Sequence, residues 1–111
     1  MTKGIGIDIV EISRFKQAVD RWGDVFLNRV FTKGEIEYSM QKRFPYQHLA
    51  ARFAAKESII KAFGKNPVNF KEIEIINDKF GKPSCRINKK KNQINLSIAH
   101  TDKYAIATAV I

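Results

Sequence analysis

Two carboxylates of this sequence stand where carboxylates are uncommon. Asp8 is surrounded by isoleucines in a segment that alternates like a β-strand, and aspartate is disfavoured inside strands. Glu57 follows Phe53 by four residues and therefore borders the apolar face of a predicted helix. A charge in either place needs a cation, a metal or amide donors. Together the two would suit Mg²⁺, which one or two carboxylates and phosphate oxygens often hold.

Each candidate also has an ordinary structural explanation. Asp8 would be a solvated residue at a strand end, or the cap of a turn. Glu57 and Lys61 are four residues apart on one helix face, where a surface pair contributes only about 0.2–0.5 kcal/mol. His100 ends a predicted strand just before a turn, where it would donate to a phosphate or a sugar, or simply lie at the surface. These patterns alone leave the alternatives open.

Several other kinds of site are excluded. Cys85 is the only cysteine and the two histidines are far apart, so neither an intrachain disulfide nor zinc is expected. Gly4 and Gly6 begin a pattern like a dinucleotide loop, but Ile9 stands where the third glycine belongs and no βαβ unit follows. Walker loops, nucleophile elbows and cysteine–histidine pairs are missing from the sequence.

The charge points to an acidic partner. The sequence has 20 Lys and Arg against 11 Asp and Glu, a formal net charge of +9, which by itself does not say whether the partner is nucleic acid, membrane, cofactor or protein. The one basic run, Lys89–Lys91, lies in a predicted turn and has the character of a solvated loop tip. A nucleic-acid-binding module is favoured by charge alone, but the sequence has no recognition helix and no aromatic–basic sheet motif.

Size and composition predict one domain over residues 1–111. With 44% hydrophobic residues the chain has enough apolar side chains for a core. It contains no apolar run of about 18 residues, so no membrane span is expected. The first residues lack the anatomy of a signal peptide, and together with the single cysteine this predicts a cytoplasmic protein.

The elements that position these residues follow from periodicity and cap residues. Strand-like stretches cover residues 4–10, 73–76, 85–87, 94–98 and 104–110, and helical stretches cover 13–23, 25–31, 32–42 and 46–63. Ser13 is predicted to cap the first helix and Gly23 to end it. Thr32 and Glu35 form a capping box, and Gly64 ends the longest helix.

The remaining segments predict turns and the order of the domain. Pro45 breaks the helical pattern, and turn-rich segments cover residues 77–83, 89–93 and 101–103. One strand, a helical half and a β meander make an α+β domain.

Six segments resemble the motifs of one family, the 4′-phosphopantetheinyl transferase superfamily, and in particular its short bacterial holo-acyl-carrier-protein synthases. They occur in family order and cover nearly the whole chain: Gly4–Phe15, Phe31–Glu35, Arg52–Gly64, Asp78–Pro83, Leu96–Thr101 and Tyr104–Ala107. The resemblance implies the fold of that superfamily, in which a long central helix packs on an antiparallel β-sheet.

The resemblance implies an activity. Such enzymes transfer the 4′-phosphopantetheine group of coenzyme A to a serine of apo-acyl-carrier protein and release adenosine 3′,5′-bisphosphate, with Asp8 and Glu57 as the Mg²⁺ ligands here. Lys61 would offset charge on the phosphates. A lysine acts as a base only when its pKa is lowered, which two nearby carboxylates oppose. Glu57, or a water on the metal, is therefore the expected proton acceptor.

The resemblance also implies contacts with coenzyme A. Lys56 and His100 are expected to contact it, and Lys82, Pro83 and the turn after Gly64 are expected near its 3′-phosphate. Two segments depart from the family pattern. Lys65-Asn66-Pro67 replaces Gly-Thr-Gly after the central helix, and Ser97-Ile98-Ala99-His100 lacks the second serine of Ser-x-Ser-His. Both departures bear on the cofactor contacts.

The partners implied are a homotrimer, with coenzyme A between adjacent subunits, and an acidic acyl carrier protein. Arg14 and Arg21 lie two turns apart on the first predicted helix and are expected to dock the carrier, so binding should weaken with salt. A non-catalytic carrier-binding domain of the same fold is the alternative.

Overall fold

The computed structural model describes residues 3–64 and 68–111. The helices are α1 (Ile12–Val30), α2 (Lys33–Met40) and α3 (Pro45–Phe63), with a 3₁₀ turn at Phe70–Glu72. The strands are β1 (Ile5–Glu11), β2 (Ile73–Asn77), β3 (Pro83–Ile87), β4 (Lys90–Asn92), β5 (Asn95–His100) and β6 (Tyr104–Val110). None of the helices in the described ranges is both long enough and apolar enough to cross a membrane.

The strands form two antiparallel sheets of three. The first has the order β1-β6-β5 and the second the order β2-β3-β4. In the first sheet Asp8 lies opposite Ala107 on β6, which lies opposite Ile98 on β5. The predicted α+β class and the central helix on an antiparallel sheet are confirmed, but the last strands do not form a single meander, because β2, β3 and β4 make one sheet and β5 and β6 belong to the other.

Helix α3 packs on β1 and β6, and glycines permit its close approach. A Cβ on Gly6 would lie 1.8 Å from the carbonyl oxygen of Ser58, and one on Gly4 would lie 2.1 Å from that of Ala62. Only glycine lets the two backbones approach so closely. The buried apolar face of α3 consists mostly of alanines: Leu49, Ala50, Ala51, Ala54, Ala55, Ile59 and Ala62.

Apolar side chains form two clusters on either side of this contact. One joins α3 to both sheets through residues such as Ile59, Ile73, Cys85 and Leu96. The other joins α1 to α3, and the ring centroids of Phe15 on α1 and Phe53 on α3 lie 5.8 Å apart at an interplanar angle of 47°. Aromatic pairs add about 0.5–1.5 kcal/mol beyond burial, so this contact helps to hold α1 against α3.

Several element boundaries differ from those predicted. Helix α1 begins at Ile12, and Ser13 is not its cap, since its hydroxyl donates to Glu11 Oε1 at 2.8 Å. Gly23 interrupts the helix at φ 57° and ψ −137°, but α1 resumes and runs to Val30. Pro45 breaks the predicted helical pattern, and it also begins α3, at a position where the N–H that proline lacks is not needed.

Two further boundaries concern the second helix and the lysine run. The capping box is confirmed: Thr32 N donates to Glu35 Oε1 at 2.8 Å, and Glu35 N donates to Thr32 Oγ1 at 3.2 Å. Helix α2 ends at Met40, two residues before the predicted end. Part of the predicted 89–93 turn is strand β4, paired with β3. The predicted turn at Lys65–Pro67 lies outside the described residues.

Candidate active site

A cleft of about 580 Å³ opens between β1, α1 and α3. It is lined by Asp8, Ile9, Val10, Glu11, Arg14, Phe15, Ala18, Phe26, Phe53, Glu57 and Tyr104. The two predicted carboxylates thus line the same cleft, one from the strand and one from the helix. An apolar wall from α1 and α3 closes its other side.

Asp8 reaches the cleft because of strand alternation. Gly6 faces α3, so Asp8, two residues on, has the same orientation. The intervening Ile7 faces away and is 60% exposed. The Asp8 side chain is only 17% exposed, and its Oδ1 accepts from Lys61 Nζ at 3.2 Å. Lys61 Nζ also donates to the carbonyl oxygen of Ile7 at 3.0 Å, which ties the end of the lysine to β1.

The environment of Glu57 disfavours its charged form. Its pKa is raised, chiefly by desolvation and then by the negative charge of Asp8, while Lys61 opposes the shift. One ammonium therefore does not fully offset two neighbouring carboxylates. A bound cation would remove this repulsion.

The donor set suits a hard divalent cation such as Mg²⁺. Within the described ranges, no three His, Cys, Asp or Glu side chains are grouped as a metal site, so the protein offers the two carboxylates Asp8 and Glu57. Mg²⁺ is commonly held by one or two carboxylates and completes its shell with water and phosphate oxygens. Zinc and calcium sites usually have more protein ligands than two carboxylates.

Lys56, predicted to contact coenzyme A, lies in the interior. Its side chain is 0% exposed, and Nζ lies 2.6 Å from Glu35 Oε1. The ammonium also donates to the carbonyl oxygens of Val30 at 2.6 Å and Phe70 at 2.9 Å. A side chain held in this way does not reach a ligand in the cleft, so Lys56 leaves the set of cofactor contacts.

His100 lies on the other side of α3, in a cationic cluster that sequence reasoning missed. Its ring centroid is 6.2 Å from that of His48. The pKa of His48 is lowered, first by burial and then by the positive charges of Arg52, His100 and Lys42. Arg52 is 4% exposed, and its Nε lacks a hydrogen-bond partner within the described ranges. The spacing of His48 and Arg52, four residues apart on one helix face, was the available signal.

The predicted Lys82 ends a turn and Pro83 begins β3, and this turn is connected to the cationic cluster. Asp78 Oδ1 organises the turn by accepting from the backbone N–H groups of Phe80 at 2.8 Å and Lys82 at 2.9 Å. Asn77 accepts from Arg52 Nη2 and donates to the carbonyl oxygen of Gly81 at 3.0 Å. The turn is therefore held to the cationic cluster, not to the carboxylate cleft.

The other predicted residues lie at the surface. Gly64 is exposed and ends α3 at φ 71°, a left-handed conformation that favours glycine. Arg14 lines the cleft from α1. Arg21 is exposed two turns further along, and its guanidinium lies 5.0 Å from the ring centroid of Trp22, which is itself 57% exposed.

Comparisons with known proteins identify what the chain is similar to. The model of the 4′-phosphopantetheinyl transferase superfamily matches residues 4–109. A holo-[acyl-carrier-protein] synthase of Thermodesulfovibrio yellowstonii is 45% identical over 112 residues, covering 100% of this chain and 99% of that protein. A holo-[acyl-carrier-protein] synthase of Chloroherpeton thalassium is 42% identical, covering 96% of this chain and 95% of that protein.

Solved structures agree with these sequence matches. The holo-(acyl-carrier-protein) synthase of Bacillus anthracis, solved in complex with CoA (3′,5′-ADP), superimposes with a TM-score of 0.84 at 33% identity, covering 99% of this chain and 96% of that one. The holo-[acyl-carrier-protein] synthase of Helicobacter pylori, solved with coenzyme A, gives 0.83 at 30% identity, covering 96% and 99%.

Proposed function

The chain belongs to the 4′-phosphopantetheinyl transferase superfamily, and we propose that it is the enzyme that transfers 4′-phosphopantetheine from coenzyme A to a serine of apo-acyl-carrier protein. The products are holo-acyl-carrier protein and adenosine 3′,5′-bisphosphate. One observation carries the proposal: Asp8 and Glu57 line one cleft, with Lys61 bonded to Asp8, in a chain that matches such synthases over its whole length. The carrier would serve fatty-acid synthesis in the cytoplasm, where the unpaired Cys85 would stay reduced.

Asp8 and Glu57 hold Mg²⁺ in this proposal. The metal supplies charge neutralisation on the pyrophosphate of coenzyme A, whose β-phosphorus the carrier serine attacks. Lys61 adds a positive charge beside the same phosphates, and its bonds to Ile7 and Asp8 keep the ammonium in place. A fixed charge of this kind stabilises a transition state without reorganising during the reaction.

Glu57, or a water held at the metal site, takes the proton of the serine in this proposal. Burial and Asp8 raise the pKa of Glu57 in the metal-free protein, and a bound cation would lower it again. Lys61 is assigned the orienting role, because its ammonium is committed as a donor to β1.

Coenzyme A is proposed to bind between subunits. The cationic cluster around His100 includes Arg52, which is five residues from Glu57 on α3 and therefore faces a different side of the helix. We infer that a ligand joining a metal-bound pyrophosphate to this cluster takes the two from adjacent copies. Lys82 and Pro83, at the end of the turn that Asn77 connects to the cluster, would lie near its 3′-phosphate.

The outer face of the first sheet supports assembly into a homotrimer. Its large exposed apolar side chains are Ile5, Ile7, Ile9, Tyr104 and Ile106. Contiguous apolar surface of this kind marks an interaction site. A head-to-tail ring of three copies would cover it and would place a cleft of one copy beside the cluster of the next.

The test is transfer itself. The protein is incubated with apo-acyl-carrier protein, coenzyme A and Mg²⁺, and the carrier is then weighed by mass spectrometry. We expect a gain of one phosphopantetheine group, abolished by EDTA. Asp8→Asn should reduce the rate at least about 100-fold, as removal of a group that stabilises transition-state charge does.

A matched control is Glu37→Gln, which removes an exposed carboxylate on α2 and should leave the rate unchanged. Folded protein that binds the carrier but adds no mass would be a carrier-binding domain, and the proposal would then be wrong.

A further inference from the structure

The side chain that precedes Glu57 takes part in an ion pair in the interior of the protein. Lys56 and Glu35 are both 0% exposed in their side chains, and Nζ lies 2.6 Å from Oε1. Buried lysines and glutamates are rare, and their presence asks for a reason. The pair lies outside the residues that line the cleft.

Every hydrogen-bonding position of the ammonium is used. It has three protons, and three oxygens accept within 2.9 Å: those of Glu35, Val30 and Phe70. Glu35 in turn accepts from the backbone N–H groups of Thr32 and Ile75, each at 2.8 Å. The network joins the end of α1, the start of α2, the 3₁₀ turn and β2 to one point on α3.

This network fixes the direction in which Lys56 points from α3. Consecutive helical residues point about 100° apart, so the direction of Lys56 determines the direction of Glu57. The glycines of β1 set the distance between strand and helix, but distance alone does not turn Glu57 toward Asp8. The bond from Lys56 to Val30 also holds the part of α1 that follows Gly23, from which Phe26 contributes to the cleft wall.

Stability alone is a weak explanation for such a pair. Replacing a buried ion pair by apolar residues of similar size is often neutral or stabilising, because desolvation of the charges offsets their attraction. A saturated network that joins five elements, by contrast, admits one arrangement only.

We propose that the buried Glu35–Lys56 pair is a positioning device that turns Glu57 toward Asp8 and holds α1 as the wall of the cleft. The proposal rests on the assignment of Asp8 and Glu57 as metal ligands. Groups that orient metal ligands typically change metal affinity or activity by about 10–100-fold when removed.

The test uses Lys56→Met, which keeps the aliphatic stem and removes the ammonium. Mn²⁺ affinity is measured by EPR on the folded full-length protein with coenzyme A, and stability is measured by urea unfolding. The control is Ile94→Ala, a truncation in the hydrophobic core of a residue that makes none of the hydrogen bonds of the network; it should lower stability. We expect Lys56→Met to bind Mn²⁺ at least about 10-fold more weakly and Ile94→Ala to bind it normally.

Glu35→Gln/Lys56→Met removes both charges, so no unpaired charge is left in the interior. It should recover stability relative to Lys56→Met but keep the weak Mn²⁺ binding, and it decides the matter if the single variant does not fold. Normal Mn²⁺ binding by the double variant, or an equal loss in Ile94→Ala, would overturn the proposal. If the unmodified protein neither bound Mn²⁺ nor transferred phosphopantetheine, the proposed function would fail as well.

Discussion

Glu57 combines two demands that oppose each other. A ligand for a cation must be charged, yet this carboxylate is partly buried beside Asp8, and both effects raise its pKa. Without a cation the ionised form is therefore strained, and Lys61 relieves the strain only in part. The proposed metal site therefore lowers the stability of the metal-free fold.

This strain predicts that Glu57→Gln raises the melting temperature of the metal-free protein at neutral pH. A folded-state pKa above the unfolded value means that ionisation destabilises the fold. The penalty is fully present above the folded pKa and disappears below the unfolded value of about 4.3. Thermal unfolding in EDTA should thus show the variant more stable at about pH 7 and equal to the unmodified protein near pH 4.

Glu37→Gln is the control, since it neutralises an exposed carboxylate on α2. A Glu57→Gln protein that melts at or below the unmodified protein at neutral pH would contradict this account of the site.

The position of Arg21 leads to a prediction about docking of the carrier. It is exposed on α1, and an exposed charge acts mainly through association, which salt screens. Arg21→Glu should raise the KM for the carrier, with little change in kcat, and should reduce the salt dependence of kcat/KM. Arg86→Glu makes the same charge change on β3. If both raised KM equally, the effect would belong to net charge and not to a docking surface.

Individual site residues were predicted from their motifs and from the polarity of their neighbours in the sequence. Asp8 and Glu57 were identifiable because a carboxylate beside apolar residues needs a partner, and they do line one cleft. Lys56 was misassigned, since a basic residue in a motif looks the same whether it meets a ligand or a buried glutamate. Arg52 and His48 were missed because their cluster forms only when α3 packs beside the end of β5.

At the scale of elements, the approach of α3 to β1 is the decisive contact. It depends on Gly4 and Gly6, whose missing side chains leave room for the carbonyl oxygens of the helix. Sequence reasoning used both glycines to reject a nucleotide loop and as part of a family motif, but it did not find their packing role. Their packing role depends on which helix crosses the strand, and that is a tertiary property.

Gly6→Ala should therefore affect stability and chemistry together. Its Cβ would lie 1.8 Å from the backbone oxygen of Ser58, so α3 must shift. Overpacking of this kind costs about 1–3 kcal/mol, and the shift would move Glu57 away from Asp8. Urea unfolding and the Mg²⁺ dependence of transfer should both change, with a higher Mg²⁺ requirement in the folded variant.

Gly34→Ala is the matched control, because the nearest atom to its Cβ is the flexible Glu74 Oε2 at 3.1 Å. Alanine in a helix is favoured over glycine by about 0.8–1.0 kcal/mol, so this variant should lose no stability. If Gly6→Ala kept a normal Mg²⁺ dependence, the close approach of β1 and α3 would not be needed for the proposed metal site, and the prediction would be wrong.

The helices and strands were predicted well where the hydrophobic periodicity is strong, as in α3 and β6. They were predicted less well where one or a few residues determine a boundary or a short strand. Ser13 is a good cap residue by type, yet β1 runs directly into α1 and leaves Glu11 at that position. Strand β4 is only three residues long and rich in lysine, so its pairing with β3 outweighs its weak propensity.

At the scale of the whole molecule, the outer sheet face predicts that assembly and activity are coupled. Ile7 is 60% exposed and is not among the residues that line the cleft, so Ile7→Lys changes the surface while leaving the cleft side chains in place. Light scattering should show the unmodified protein as a trimer and the variant as a monomer. Transfer should fall with dissociation, whereas Ile7→Val should keep both properties. A fully active monomer would contradict sites shared between subunits.

Mixing two inactive variants tests shared sites directly. Asp8→Asn removes a proposed metal ligand, and His100→Glu places a negative charge in the cationic cluster. If each site takes Asp8 from one copy and His100 from the next, random mixing in a head-to-tail ring restores about a quarter of the sites. The two proteins are unfolded together, refolded as a mixture and assayed for transfer. If both residues instead served a site within one copy, every subunit of the mixture would carry a defect and no activity would return, because exchange of partners repairs only sites that partners share.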